Sequence, residues 1–267
     1  MKKLFALLIT AVMTLTACFG LTACGGNQKV VEDGGKIIVG VTDYEPMDFI
    51  GEDGKWTGFD AELATEVFTN LGYTVEFKEI DWDTKIVTLN AGTIDCIWNG
   101  MTVTDELLDN LVLSNVYLKN QQVIVTKTEN LSSYTSTADL AGKKVAVESG
   151  SAAQKLVDAL ATPAADVQKL SNQNAAVLGV FAGTADVAVV DVALATTLCG
   201  LGSDYFGKLA FKDVGFATEE FAIAFRKSDS SLCWNVNKEL RNLEEDGTIF
   251  NLALKYKVTN LLPVFAD

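Results

Sequence analysis

The residues best suited to chemistry in this chain sit where two apolar runs end. In residues 91–108, AGTIDCIWNGMTVTDELL, the run 94–98 has the length of a buried strand and stops at Asn99-Gly100. Met101 and Thr102 follow, and residues 102–106 read as a loop entering a helix. In residues 182–191, AGTADVAVVD, a second apolar run ends in the carboxylate of Asp191. A buried strand ending in small polar residues beside a helix start is where α/β proteins place ligands. Aligned on AGTxD, Gly100 falls opposite Asp191, which predicts two similar units delivering polar groups to one site. An acid at the end of a buried run costs desolvation energy unless a partner meets its charge, so a cleft position suits Asp191.

The chain contains no histidine. That removes Ser-His-Asp and Cys-His nucleophilic catalysis and the commonest metal ligand. Acid–base work by Asp, Glu, Lys or Tyr stays open. Cysteines stand at 18, 24, 96, 199 and 233, with no CxxC pair, so zinc and redox motifs are missing and no cofactor or metal is expected. Cys96 reads as a small core residue; Cys199 and Cys233 could pair. The formal charge of −14 disfavours nucleic acid and other polyanions. With 267 residues, 49% of them hydrophobic, the chain can build one large or two modest globular domains.

The first residues do not belong to a fold. Met1-Lys-Lys followed by the apolar run 4–15 reads as a secretory signal, too short for a spanning helix. Leu21-Thr-Ala-Cys24-Gly-Gly resembles the lipobox of bacterial lipoproteins, with Leu15-Thr-Ala-Cys18 as a second match. Cys24 is favoured as the lipidated residue because the small, flexible Gly-Gly-Asn follows it; ordinary cleavage without lipid is the alternative. Acyl chains on Cys24 would hold the protein at a membrane surface.

Further elements must position the two strand ends. Residues 36–41 predict a buried strand, followed by a loop carrying Asp43 and Tyr44 and a tight turn at 52–55. Residues 59–71 predict a helix with Leu63, Val67 and Leu71 on one face and Gly72 as its stop. A strand at 74–80, a short helix ending near Gly92, and strands at 121–127 and 139–147 follow. A helix opening at Gly150-Ser151, a helix at 174–181, a strand at 221–226 and a terminal helix at 228–245 complete the pattern. This alternation implies a largely parallel sheet covered on both faces. The polar stretch 128–137 marks a crossover to a second lobe.

Gly58-Phe-Asp60, Ile80-Asp-Trp82, the block 92–104, Asp139-Leu-Ala-Gly-Lys-Lys and Asp246-Gly-Thr recur in this order in one family. Over residues 36–257 the chain resembles the extracellular solute-binding proteins of polar amino-acid ABC importers. The resemblance implies an α/β fold of two lobes, joined by two crossover strands, that trap a ligand by hinge closure and then dock on a membrane permease. It divides the chain into a signal (1–23), a tether (24–35), lobe one (36–125 and 219–267) and lobe two (126–218). It implies that Tyr44 and Trp82 sandwich the ligand side chain. It also implies that Asn99, Gly100, Met101 and Thr102 present carbonyl, amide and hydroxyl groups, and that Asp191 holds an ammonium. Ser151 and Ala152, at the start of a lobe-two helix, complete the expected site. The protein is expected to be a monomer on the outer face of the bacterial membrane, or in the periplasm of a Gram-negative cell.

The chain departs from the family at three points. Where the family places an arginine on the ligand carboxylate, this chain has Leu107. Ala152 stands where a hydroxyl is usual, and the loop after Gly40 is one residue shorter, so Asp43 either faces the ligand side chain or sits one step out. A buried carboxylate without a cation is costly. Either another base compensates or the ligand lacks an α-carboxylate; the pattern leans toward a cationic amine or a masked amino acid. A ligand-sensing role and, more remotely, a dehydratase on the same fold are the alternatives.

Overall fold

A computed structural model describes residues 34–263. The signal, both lipobox cysteines and most of the tether lie outside the described residues.

Two sheets form the two lobes. In the first, the strands run in the order Thr74–Glu79, Lys36–Val41, Cys96–Ile97, Ala224–Phe225, Val112–Leu113. The first three are parallel; Ala224–Phe225 returns antiparallel to both of its neighbours. One face carries the helices Phe59–Asn70, Ser230–Glu245 and Thr248–Lys255, whose buried Leu63, Val67, Val236 and Leu240 join Ile37 and Val39 in one cluster. The other face is covered by Lys85–Asn90 and Asp105–Asn110 through Leu89 and Leu107.

The second sheet has the order Leu209–Lys212, Leu118–Lys127, Val187–Asp191, Lys144–Glu148, Asp166–Leu170. Its last three strands are parallel, and the long Leu118–Lys127 strand lies antiparallel to them. That strand is one of two crossovers. Residues 118–121 pair with the second crossover, Thr218–Phe221, and residues 122–126 pair with Val187–Asp191. The change of partner therefore falls at Gln121–Gln122, a few residues before the polar stretch that the composition pointed to. The backbone stays extended through the crossing, so no turn residue marks it.

The AGTxD repeat has a structural counterpart. Gly92 and Gly183 both take positive φ after a helix, where a side chain would be strained. Asp95 then accepts the Ile38 amide at 3.0 Å, and Asp186 accepts the Lys144 amide at 2.9 Å. In each lobe the aspartate ties the incoming strand to its parallel neighbour. The predicted strand 94–98 shortens to Cys96–Ile97, because side chains take over the ladder at both ends: Asp95 at the start, and Asn99, whose Oδ1 accepts the Thr42 amide.

Cys199 and Cys233 do not pair. They sit on helices of different lobes as free buried thiols, and burial pushes both up to about 11. The sequence reading did not predict the strands Val112–Leu113, Asp166–Leu170 and Leu209–Lys212 or the helices Val192–Cys199 and Thr248–Lys255.

Arg226 locks the returning strand onto lobe one. It is buried, donates to the carbonyls of Leu89 (3.0 Å) and Ile94 (2.6 Å), and pairs with Asp95 (3.1 Å) and Asp229 (2.7 Å). Removing one member of such a buried set leaves charge uncompensated. Arg226→Met should lower stability by about 3–5 kcal/mol, read as a fall in Tm of roughly 10 °C for a chain of this size.

Candidate ligand cleft

The two sheets aim their strand ends at each other. Lobe one contributes Trp82 and Lys85, the 99–102 segment and Leu107; lobe two contributes Glu148, Ser151, Ala152 and Asp191. They enclose about 570 Å³, including the solvent at the mouth. The lobes are in contact. Lys85 Nζ donates to the Gly150 carbonyl at 2.8 Å, Lys155 pairs with Glu106, and Asn174 Nδ2 donates to Asp43 Oδ2 at 3.1 Å. A Cβ at Gly150, which has φ +72°, would lie 2.7 Å from Asp83 Cα, so glycine is what lets the lobes meet there.

Asp191 ends its strand buried, at the level of the crossovers. Oδ1 accepts from Asn120 Nδ2 at 2.5 Å and Gln122 Nε2 at 2.6 Å; Oδ2 accepts from Gln173 Nε2 at 2.5 Å. The same two crossover amides also donate to Glu219 Oε2, at 3.0 and 2.9 Å. Burial, then the neighbouring Glu219 charge, push Asp191 up to about 6 against the lowering effect of its amide donors. No lysine or arginine pairs with it among the described residues.

The 99–102 segment is largely committed to the protein. Asn99 Nδ2 donates to Thr42 Oγ1 at 3.1 Å, and the Gly100 amide donates to Asp60 Oδ2 at 2.6 Å. The Met101 carbonyl accepts the Ala222 amide, and the Thr102 hydroxyl donates to Glu219 at 3.0 Å. These residues wall the cleft, but the expectation of a free Gly100 amide is corrected: Asp60 has taken it. Ser151 is likewise used, donating to the Glu148 carbonyl and accepting the Gln154 amide as a helix cap.

Two expected residues do not line the cavity. The Tyr44 ring packs in the lobe-one core, where a Cβ at Gly100 would be 2.6 Å from its Cε1. Its hydroxyl faces Asp191 from below, which, together with burial, raises its pKa well above the ordinary value. Asp43 borders a wider outer groove and is held there by Asn174. The expected aromatic sandwich is thus reduced to one wall: Trp82 lines the cavity, and Tyr44 lies beneath its floor. The loop after Gly40 folds back on itself through the Tyr44 carbonyl, which accepts the Met47 and Asp48 amides, and the Tyr44 ring lies inward of this turn.

Several residues on the cleft were not singled out from sequence. Gln122 and Gln173 reach Asp191 from a strand and a helix distant in sequence. Glu148 ends the apolar run Val145–Val147 as Asp191 ends its own, so that signal was present. It is buried, with Oε1 lacking a hydrogen-bond partner, and burial followed by the Asp191 charge pushes it up to about 8. Lys85 lies with Nζ 4.7 Å from the Trp82 ring centroid. Burial lowers its pKa, and Glu148 is the first charge opposing that shift. Leu107 is buried beside Trp82 and makes an apolar wall. Among the described residues, no group of three or more Asp, Glu or Cys side chains is placed to hold a metal ion. Nor is any described helix long and apolar enough to cross a membrane.

Comparison with known proteins agrees with this architecture. Residues 37–259 match the model of the bacterial extracellular solute-binding proteins, family 3. The arginine-binding extracellular protein ArtP of Bacillus subtilis (strain 168) is 31% identical over 262 residues, covering 96% of this chain and 98% of its own. An ABC uptake transporter substrate-binding protein from Streptococcus pneumoniae, solved with bound histidine, superposes with a TM-score of 0.79 at 32% identity, covering 86% of this chain and 94% of its own. An ancestral amino-acid-binding protein, described as a precursor of cyclohexadienyl dehydratase, superposes at 0.76 with 31% identity, covering 84% and 95%. The match over most of the chain and the close superposition of the fold agree, and the chain belongs to the bacterial extracellular solute-binding proteins, family 3.

Proposed function

We propose that this chain captures an amino acid or a related amine between its lobes and hands it to the permease of an ABC importer, held at the outer membrane face by lipid on Cys24. The observation that carries the reading is the Asp191 carboxylate. It is buried on the cleft wall, held by three amides, and has no cationic partner among the described residues. Three neutral donors orient a carboxylate without cancelling its charge, and a ligand ammonium would complete it. Trp82 supplies a flat apolar wall. Leu107 offers a ligand carboxylate no guanidinium, so the amine end of the ligand carries the recognition. The residues of the cleft act by binding and excluding water, and the chain is read as a binding protein rather than an enzyme.

Asp191→Asn should cost at least about 30-fold in affinity, since losing one partner of a buried charged pair is worth about 2–5 kcal/mol. Isothermal titration with a panel of amino acids and amines reads this directly, and an unchanged dissociation constant would remove Asp191 from the site. Below pH about 6, Asp191 holds a proton that an ammonium ligand must displace. Affinity should therefore fall by up to about tenfold per pH unit below that point and level off above it.

The stability of the ligand-free protein should run the other way. Asp191 (about 6) and Asp60 (about 7) have pKa values raised above their unfolded values. Their contribution is fully present below the ordinary carboxylate range and is lost as pH rises to their raised values, so Tm in the absence of ligand should decline from about pH 4 and level off above about pH 7. Gly150→Ala places a Cβ against Asp83 and a side chain at positive φ. It should hold the lobes apart, and small-angle scattering would then show no contraction when ligand is added.

A further inference from the structure

We propose that Glu148 and the face of Trp82 form a seat for a second cationic group of the ligand, beside the one that Asp191 meets, and that the Lys85 ammonium rests on the Trp82 side of this seat as a tethered stand-in. This inference rests on the binding function proposed above and narrows it to ligands bearing such a group.

Three observations bear on the space where Trp82 and Lys85 of lobe one meet Glu148 of lobe two. Glu148 is 4% exposed and lines the cleft, yet its Oε1 has no hydrogen-bond partner. Leaving a buried carboxylate oxygen unmet costs more than a neutral polar atom, so the site is built for a donor that a ligand brings. Next, Trp82 already holds a cation, the Lys85 ammonium at 4.7 Å from the ring centroid. Finally, that ammonium is weakly held. Among the described residues its hydrogen-bond acceptors are two carbonyl oxygens, of Trp82 (3.1 Å) and Gly150 (2.8 Å), and no described carboxylate lies within ion-pair distance. The other lysine on the cavity wall, Lys155, is paired with Glu106.

The charges of the cleft favour exchange. Asp191 and Glu148 face the cavity as acids, and the Asp191 charge raises the cost of ionising Glu148, against one lysine, Lys85, that is not paired with an acid among the described residues. A ligand cation placed between Glu148 and the Trp82 ring would gain the unmet oxygen and the ring face together. Lys85, on a flexible four-carbon stem at the first turn of Lys85–Asn90, can withdraw toward Asp83 and Glu106, which already oppose the lowering of its pKa.

The test is a selectivity measurement on the full-length protein. Dissociation constants would be measured for arginine and lysine and, as neutral isosteres, citrulline and glutamine, on the wild type, Glu148→Gln and Lys85→Met. Glu148→Gln should weaken the cation-tailed ligands at least about tenfold relative to the neutral ones. Lys85→Met should raise the preference for cationic tails several-fold. Using the ratio cancels any change in lobe closure common to all ligands, and Glu148→Asp serves as a second variant should the amide not fold. Equal losses on charged and neutral ligands with Glu148→Gln would overturn the proposal. So would loss of carboxylate-bearing ligands of both kinds with Lys85→Met, which would instead make Lys85 the carboxylate anchor. If the wild type bound neutral ligands through Asp191 while Glu148→Gln changed no ratio, this inference would fail and the binding function would stand. If Asp191→Asn left binding of the panel unchanged, the binding function itself would fall.

Discussion

Keeping an ionisable carboxylate out of water at the junction of two lobes is the constraint on which this structure turns. Asp191 is held by Asn120 and Gln122 from one crossover strand and by Gln173 from a lobe-two helix. The same two crossover amides reach Glu219 on the other crossover. One hydrogen-bond network thus runs through both connections between the lobes and ends in the cleft. Neutral amides are suited to this task. They satisfy the lone pairs of a buried acid while leaving its net charge to act on whatever enters. A lysine or arginine in their place would have neutralised the site before any ligand arrived.

Beneath the cleft lies a second set of buried polar groups with a structural task. Asp60 accepts from the Gly100 amide at 2.6 Å and the Tyr117 hydroxyl at 2.7 Å. Burial pushes it up to about 7, and Asp48 beside it is driven well above the ordinary carboxylate range by burial and by Asp60. Gly100 has φ +52° and is packed between the rings of Tyr44 and Phe221, so no other residue fits the floor without moving them. The floor is rigid because its donors and acceptors are spent on one another. The ligand-facing chemistry is left to the walls: Trp82, Lys85, Glu148 and Asp191.

Leu107 sets the character of one side of the cleft. With an apolar wall there, the acids outnumber the unpaired bases facing the cavity, and Lys85 is the basic group free of an acidic partner.

Much of this was legible in the order of residues alone. Hydrophobic runs of strand length, helices with a definable apolar face, and the AGTxD repeat follow from local periodicity and backbone preference, which need no knowledge of distant contacts. They led to two α/β lobes with Gly100 and Asp191 at facing strand ends, and a buried acid ending a strand marked a cleft on desolvation grounds. Tertiary structure alone decided which groups remain available. The Gly100 amide and the Ser151 hydroxyl looked like donors until Asp60 and the Glu148 carbonyl were seen to occupy them. Tyr44 and Asp43 are near the cleft in sequence, but a single turn directs one into the core and the other to an outer groove. Lys85, Gln122 and Gln173 carry no local mark of their role, because hydrogen bonding and charge pairing depend on three-dimensional proximity between segments far apart along the chain.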